Sequence, residues 1–219
     1  MARLPIHTRR LAGLSDYEST TSAMREFTAA RGPETPDELW LLEHHPVYTL
    51  GVNGNTGHLL STGAIPVVRT DRGGQVTYHG PGQLVAYLLL DLQRAGLGIR
   101  QVVSGLENAV VELVAGYGIT AVARRDAPGV YVDGAKLASV GLRVRRGCTY
   151  HGLSLNVVPD LAPFAGINPC GYPGLDVTSL EKLGGPTDLD AVGNEFASIL
   201  AAKMGTCLGL ATPGSGISP

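Results

Sequence analysis

Long hydrophobic runs are missing from this 219-residue chain. No stretch approaches the ~20 apolar residues that a bilayer-crossing helix needs, which argues against a membrane protein. The opening Met1-Ala2-Arg3-Leu4-Pro5-Ile6-His7 also lacks the apolar core of an export signal. Cysteine is scarce: Cys148, Cys170 and Cys207 make neither a Cys-x-x-Cys pair nor a disulfide framework. A reducing cytoplasm is the expected location. Charge is low and nearly balanced, with 17 basic against 19 acidic residues for a net of −2. No whole-molecule field draws nucleic acid, so any such contact would need a local basic patch. Neither a Gly-x-Gly-x-x-Gly between strand and helix nor a Gly-Lys-Ser/Thr loop is present, which argues against a mononucleotide site. His44-His45 has no further His or Cys at ligand spacing, so a strand-end pair is expected rather than a zinc site. With 44% hydrophobic and 16% charged residues, the chain has the composition of a globular protein with a substantial core.

What is present concentrates in one stretch, Arg72-Gly73-Gly74-Gln75-Val76-Thr77-Tyr78-His79-Gly80-Pro81-Gly82-Gln83. A glycine pair lets backbone approach a ligand or take up positive φ. Residues 75–79 alternate as a short strand with polar side chains on one face, and Gly80-Pro81-Gly82 stops it just after His79. The apolar residues 84–90 then read as a buried strand. A tight hairpin would need only the glycines. Arg72, Thr77, Tyr78, His79 and Gln83 are more than a hairpin requires, so a ligand site is the better reading.

The remaining chain supplies a scaffold. Residues 15–31 read as a helix that Ser15 or Asp16 can cap, with Leu14, Tyr17, Met24 and Phe27 as a rough apolar face and Gly32-Pro33 as its stop. Strands are expected over 38–43, 47–50 and 66–70, with a loop over 51–63. Residues 99–117 carry Val102, Leu106, Ala109, Val110 and Leu113 at helical spacing, and Gly118 closes the helix. Strand patterns follow at 119–123, 129–132, 136–145 and 149–157, with Asp133-Gly134 as a hairpin turn. Residues 159–173 are irregular, and 187–204 form a last helix. Strands outnumber helices and often follow one another directly. That predicts an α+β fold with a mixed, largely antiparallel sheet flanked by helices.

Free cysteine is most often a small buried apolar residue. That reading suits Cys207, among Met204 and Leu208, and is open for Cys148, which follows Arg145-Arg146 at a strand junction. Cys170 differs, because Asn168-Pro169-Cys170-Gly171-Tyr172-Pro173-Gly174 is the kind of irregular loop that carries function. A nucleophilic sulfur needs exposure and a group that stabilises its anion. Lys136, His79, His151 and Arg72 are the candidates. Against Lys136 stands the commoner role of a solvated turn lysine.

These segments together closely resemble the octanoyl-[acyl-carrier-protein]–protein N-octanoyltransferases, the lipoate-protein ligase B family. The resemblance spans roughly residues 11–181. It rests on the stretch from Arg72 to Gln83, on Asp126-Ala127-Pro128-Gly129-Val130-Tyr131-Val132, on Lys136-Leu137-Ala138-Ser139-Val140-Gly141-Leu142-Arg143, on His151-Gly152-Leu153-Ser154-Leu155-Asn156-Val157, and on Asn168-Pro169-Cys170-Gly171. It implies the catalytic-domain fold of biotin and lipoate ligases, here a single domain over 1–208 with a mobile tail over 209–219. It also implies transfer of an octanoyl group from acyl carrier protein to a lysine of a lipoyl domain, in 2-oxoacid dehydrogenase complexes and the glycine cleavage H protein. Cys170 falls on the family's acyl-accepting cysteine and Lys136 on its paired lysine. The acyl-binding segments fall on Arg72, Gly73, Gly74, Gln75, Val76, Thr77, Tyr78 and His79, on Ser139, Val140 and Gly141, and on Gly152, Leu153 and Ser154.

Passing an acyl group from thioester to thioester to amide runs downhill, so neither ATP nor a metal is expected. Backbone N–H groups near Cys170 and Gly171 are the candidate oxyanion donors, and Val76, Tyr78, Val140 and Leu153 the candidate lining of an apolar slot. Arg124, Arg125, Arg143, Arg145 and Arg146 offer either footing for an acidic carrier or a solvated edge that discourages strand pairing. Two alternatives remain: an ATP-dependent lipoate ligase of the same fold class, which has no need of Cys170, and a non-catalytic acyl-binding module.

Overall fold

The computed structural model describes residues 5–209. The elements in order are β1 (Ile6–Ser15), α1 (Tyr17–Ala30), β2 (Asp37–His44), β3 (Val47–Leu50), β4 (Val67–Arg69), β5 (Val76–His79), β6 (Gln83–Leu89), α2 (Leu92–Ala95), α3 (Ile99–Gly116), β7 (Val122–Ala123), β8 (Gly129–Val132), β9 (Ala135–Arg145), β10 (Cys148–Asn156), α4 (Leu189–Lys203) and β11 (Leu208–Gly209). Eight strands form one sheet in the order β11-β1-β2-β6-β10-β9-β8-β7, and three form a second, β4-β3-β5. Among the described strands, only β1–β11, β1–β2 and β3–β4 pair in parallel. The sheet is mixed and mostly antiparallel, as the strand-rich pattern predicts.

The apolar run at 84–90 is continuous because both of its faces are covered. Leu84, Ala86 and Leu88 enter a core with Val102, Leu106 and Val110 of α3 and Phe196 and Leu200 of α4. Val85, Tyr87 and Leu89 alternate to the other face, against Met24 of α1. Strand β2 splits the same way, Leu39 and Leu41 to one side and Trp40 and Leu42 to the other. The eight-stranded sheet is therefore sandwiched between α1 and the α3–α4 pair. No described helix is long and apolar enough to cross a membrane.

Three local readings need correction. The N-terminal residues form a ten-residue strand, β1, so Leu14 belongs to a strand and is 38% exposed rather than on a helix face. Helix α1 starts at Tyr17, where the Asp16 carboxylate accepts from Ser19 N–H at 2.8 Å. The strand expected at 119–123 shortens to Val122–Ala123. Strands β5 and β6 do not pair as a hairpin but lie in different sheets. Gly82, at φ +81, makes the handover between them, and a Cβ there would come within 2.4 Å of Val158 O. Of the expected tail, Gly209 pairs with His7 in β11, and 210–219 lie outside the described residues.

Candidate active site

Asp133 and Gly134 both take positive φ (49° and 86°), the geometry of the turn that a two-residue hairpin loop favours. That turn starts β9 so that Lys136 points inward, 2% exposed. The solvated turn lysine is thereby excluded. Lys136 Nζ donates to Pro128 O at 2.9 Å, to Tyr131 OH at 2.9 Å and to Cys170 Sγ at 3.0 Å. Tyr131 gives its own proton to Ala127 O at 2.8 Å, so it can only accept from the lysine. Three donated bonds need three N–H groups, which makes this group an ammonium. Burial alone would push its pKa down, but Cys170 and Tyr131 more than offset that and the net shift is upward. Space for it is kept by Gly129, at φ +139, where a Cβ would meet Ala138 O at 2.4 Å and the ammonium at 3.0 Å.

Cys170 sits in a single helical turn, Pro169–Gly171, with φ +57. A non-glycine residue holds that left-handed backbone only when its surroundings impose it. Here Asn168 N–H is fixed to His58 O at 2.9 Å, and Gly171 N–H closes back on Asn168 O at 2.9 Å. Tyr172 N–H likewise goes to Pro169 O at 3.1 Å. The Gly171 N–H is thus committed within its own turn, against the expectation that it would hold an oxyanion. The sulfur is half-buried and lines a cavity that runs between the two sheets.

That cavity gathers most of the predicted segments. Arg72, Gly74, Gln75, Val76, Thr77 and His79 line it from one side, with Ser139, Val140 and Gly141 of β9 and Gly152, Leu153 and Ser154 of β10 from the other. Gly73 and Tyr78 do not line it. Gly73 N–H is tied to Leu142 O at 2.9 Å, and Tyr78 turns away to pack on Tyr48 and Phe164. Four lining residues went unassigned as binding residues in the sequence: Tyr17, Val85, Tyr87 and His151. Tyr17 and Tyr87 read there as ordinary core positions of a helix and a strand.

Arg72 is buried and does not reach out as a free anion binder. Its guanidinium bonds Thr49 O at 2.6 Å, Gln75 O at 2.8 Å and Gly73 O at 2.9 Å, framing the glycine loop. Gly74, at φ +90, and Gly51 bring two backbone segments together under that frame. A Cβ on Gly51 would stand 2.3 Å from Gly74 O.

His79 lines the cavity beside Tyr17, and the His44 ring lies 5.9 Å from that of His79. His44 binds Ser15 O and Tyr87 OH, and His79 binds Gln83 Oε1 at 2.7 Å. Burial pushes His44 down to about 4 and His79 to about 3, so both are neutral at pH 7. His45 is exposed, and no cluster of metal-ligating side chains occurs among the described residues. The folded pKa values lie below the unfolded value near 6.5. Stability is therefore full above that pH and falls as acid protonates the unfolded chain first. Urea unfolding at pH 5 is expected to show about 3 kcal/mol less stability than at pH 7. A pH-independent midpoint over that interval would contradict neutral burial.

Of the other cysteines, Cys148 is buried, and burial pushes its thiol up. Cys207 is exposed, not the buried apolar residue expected from its neighbours.

The family model for the lipoyl protein ligase A/B catalytic domain matches residues 16–201. A curated octanoyltransferase of Alkalilimnicola ehrlichii is 63% identical over 188 residues, covering 86% of this chain and 87% of its own length. Among solved structures, a bi-partite lipoate protein ligase from Thermoplasma acidophilum superimposes with a TM-score of 0.72 at 14% identity, covering 96% of this chain and 88% of that one. A biotin protein ligase from Aquifex aeolicus gives a TM-score of 0.56 at 14% identity, covering 94% of this chain and 70% of that one. Those structural likenesses carry the fold, and the sequence identity carries the family: the chain belongs to the octanoyltransferases, acyltransferases built on the lipoyl protein ligase A/B catalytic domain.

Proposed function

We propose that the protein moves an octanoyl group from acyl carrier protein onto the lysine amine of a lipoyl domain, through a thioester on Cys170. The acceptors in this reading are the lipoyl domains of 2-oxoacid dehydrogenase complexes and the glycine cleavage H protein. The observation that carries it is the 3.0 Å contact of Lys136 Nζ with Cys170 Sγ at the rim of the cavity. An ammonium at that distance stabilises a thiolate.

In the first half-reaction the thiolate attacks the carrier thioester. A new carbon–sulfur bond forms, the carrier's bond breaks, and the departing sulfur takes a proton from Lys136. The acyl-enzyme then has a neutral thioester beside a neutral amine. In the second half-reaction the acceptor amine attacks, Nζ of Lys136 accepts its proton, and the Cys170 thiolate is regained with its ammonium partner. The electrostatics suit this alternation. The sulfur and Tyr131 together hold the Lys136 proton against burial, and acylation of the sulfur removes the first of these, so the balance moves toward the neutral amine. Lys136 becomes a base when a base is needed.

The alkyl chain enters the cavity between β5 and the β9–β10 pair, where each buried methylene contributes about 0.8 kcal/mol. The exposed Arg125, Arg143, Arg145 and Arg146 are the footing for an acidic carrier. Arg124 is less free, because it pairs with Asp126 and lies over Tyr131. Since the acyl group starts as a thioester and ends as a more stable amide, the cycle needs neither nucleotide nor metal. The test is intact mass after mixing with octanoyl carrier protein without ATP. One octanoyl adduct is expected, discharged by adding a lipoyl domain. Adduct formation that depends on ATP would favour ligase chemistry instead.

A further inference from the structure

The buried residues of α3 are apolar except for Glu107, which is 7% exposed. A carboxyl group is rarely buried unless something pairs with it. Glu107 Oε1 accepts from Gly129 N–H at 2.7 Å. The carbonyl of that same peptide unit is Pro128 O, which accepts from Lys136 Nζ at 2.9 Å. One rigid amide thus joins a carboxyl group on α3 to the lysine beside Cys170. Its N–H end meets the carboxyl and its C=O end the ammonium, so the peptide dipole is aligned with both charges. No more than about 8 Å separates them.

The Pro128 carbonyl also decides which proton Lys136 can give up. Its three N–H groups face Pro128 O, Tyr131 OH and Cys170 Sγ. A neutral amine keeps two of them, and the two oxygens still need donors. The lone pair is then left on the side of the sulfur, where an acceptor amine attacks. Burial pushes the Glu107 carboxyl up, while the Gly129 N–H and the Lys136 charge pull it down, and the net shift is upward. The other charged groups around Glu107 are Arg100, Arg124 and Arg125, which line the same surface groove, with Asp126 paired to Arg124. Around Lys136 they are Tyr131 and Cys170, and Arg72, on which the Cys170 charge acts. Asp176 adjoins Lys136 through its backbone carbonyl and is itself exposed.

We propose that Glu107 is a positioning residue for acyl transfer: through the 128–129 peptide unit it aims the Lys136 amine and, as a carboxylate, keeps that amine basic enough to take the acceptor's proton. The proposal rests on the reading that Cys170 carries the acyl group and Lys136 accepts that proton.

The experiment follows single-turnover discharge of isolated octanoyl-enzyme onto a lipoyl domain as a function of pH, for the wild type and Glu107→Gln. Glutamine keeps an oxygen for the Gly129 N–H and removes the charge. The acyl sulfur carries no proton in this step and the acceptor amine is the same for both proteins, so a difference between the two profiles reports the Lys136 amine. A negative charge favours the ammonium, and without it Lys136 gives up its proton at lower pH. The rising limb of the discharge rate is therefore expected to move down by about one pH unit in Glu107→Gln. An unchanged profile would leave Glu107 a structural anchor only and overturn the proposal. If the wild type forms no octanoyl adduct, the acyl-enzyme reading itself fails and this inference falls with it. A second measurement needs no variant. Carbon NMR of wild type labelled at the glutamate carboxyls is expected to find Glu107 ionised at pH 7, and a neutral carboxyl there would overturn the proposal as well.

Discussion

Replacing Cys170 with serine is expected to abolish the octanoyl adduct and to lower transfer to a lipoyl domain by about 10⁴-fold or more. The size follows from the chemistry of the atom. A serine hydroxyl at this position faces the same Lys136 ammonium, but an ammonium can only donate, so nothing there draws off the hydroxyl proton. The thiol gives up its proton far more readily, and the adjacent positive charge then holds the anion. Geometry adds to the difference, because the left-handed turn at Cys170 is held by Pro169 and by the backbone bonds of Asn168, Gly171 and Tyr172, which leave it little freedom to adjust. The two remaining cysteines serve as controls. Cys148 is buried beneath α2 and has no access to a carrier protein, and Cys207 is exposed at the far edge of the sheet, beside β11. Serine at Cys207 is expected to leave the adduct unchanged. An adduct of undiminished yield on the Cys170→Ser protein would place the acyl group elsewhere and remove the nucleophile assignment.

The parts of this fold that the sequence revealed are those whose signal is local. Residues 84–90 announce a strand covered on both sides because every position is apolar, and Asp133-Gly134 announces a hairpin because few other pairs accept two successive positive φ values. Strand β1 left no such trace. Its Thr8, Arg9 and Arg10 are half-buried or exposed, Gly13 interrupts it, and its partner β2 lies parallel and distant in sequence. The same division holds at the site. Cys170 and Lys136 stood out by the company each keeps, a Pro/Gly loop for one and a turn for the other, although their contact spans 34 positions. The partition of the stretch 72–79 was not legible. Alternation puts Tyr78 with Val76 on one face, and both do enter one small core with Tyr48 and Phe164; what it does not reveal is that Val76 also borders the cavity and Tyr78 does not. Tyr17 and Tyr87 were hidden for the opposite reason: a residue that lines a pocket from a core helix or strand carries the pattern of a core residue. Asp71 gave no signal of its own, since its three partners, Arg25, Tyr150 and His151, are brought to it by α1 and β10.

Lys136→Arg separates the two duties assigned to the lysine, because arginine keeps the charge but does not lose its proton and so cannot accept one. Formation of the acyl-enzyme is expected to fall modestly, since a cation still faces the sulfur and the departing carrier thiolate, a good leaving group, can take its proton from water in place of Lys136. Discharge of the isolated acyl-enzyme onto a lipoyl domain is expected to fall about 10²–10⁴-fold, the contribution typical of a positioned proton acceptor. Lys136→Met removes the charge as well, so it is expected to depress both steps. Crowding does complicate the arginine variant, because Gly129 and Pro128 close around the native ammonium and a guanidinium is larger. Crowding, however, acts on the free enzyme and the acyl-enzyme alike, whereas a lost base acts only on the step in which an amine must shed a proton. Single-turnover rates for the two half-reactions, measured separately on each variant, therefore discriminate. A loss confined to the second step in Lys136→Arg supports proton acceptance. Equal losses in both steps would reduce Lys136 to a fixed positive charge, and the acceptor amine would then have to lose its proton to solvent before attack.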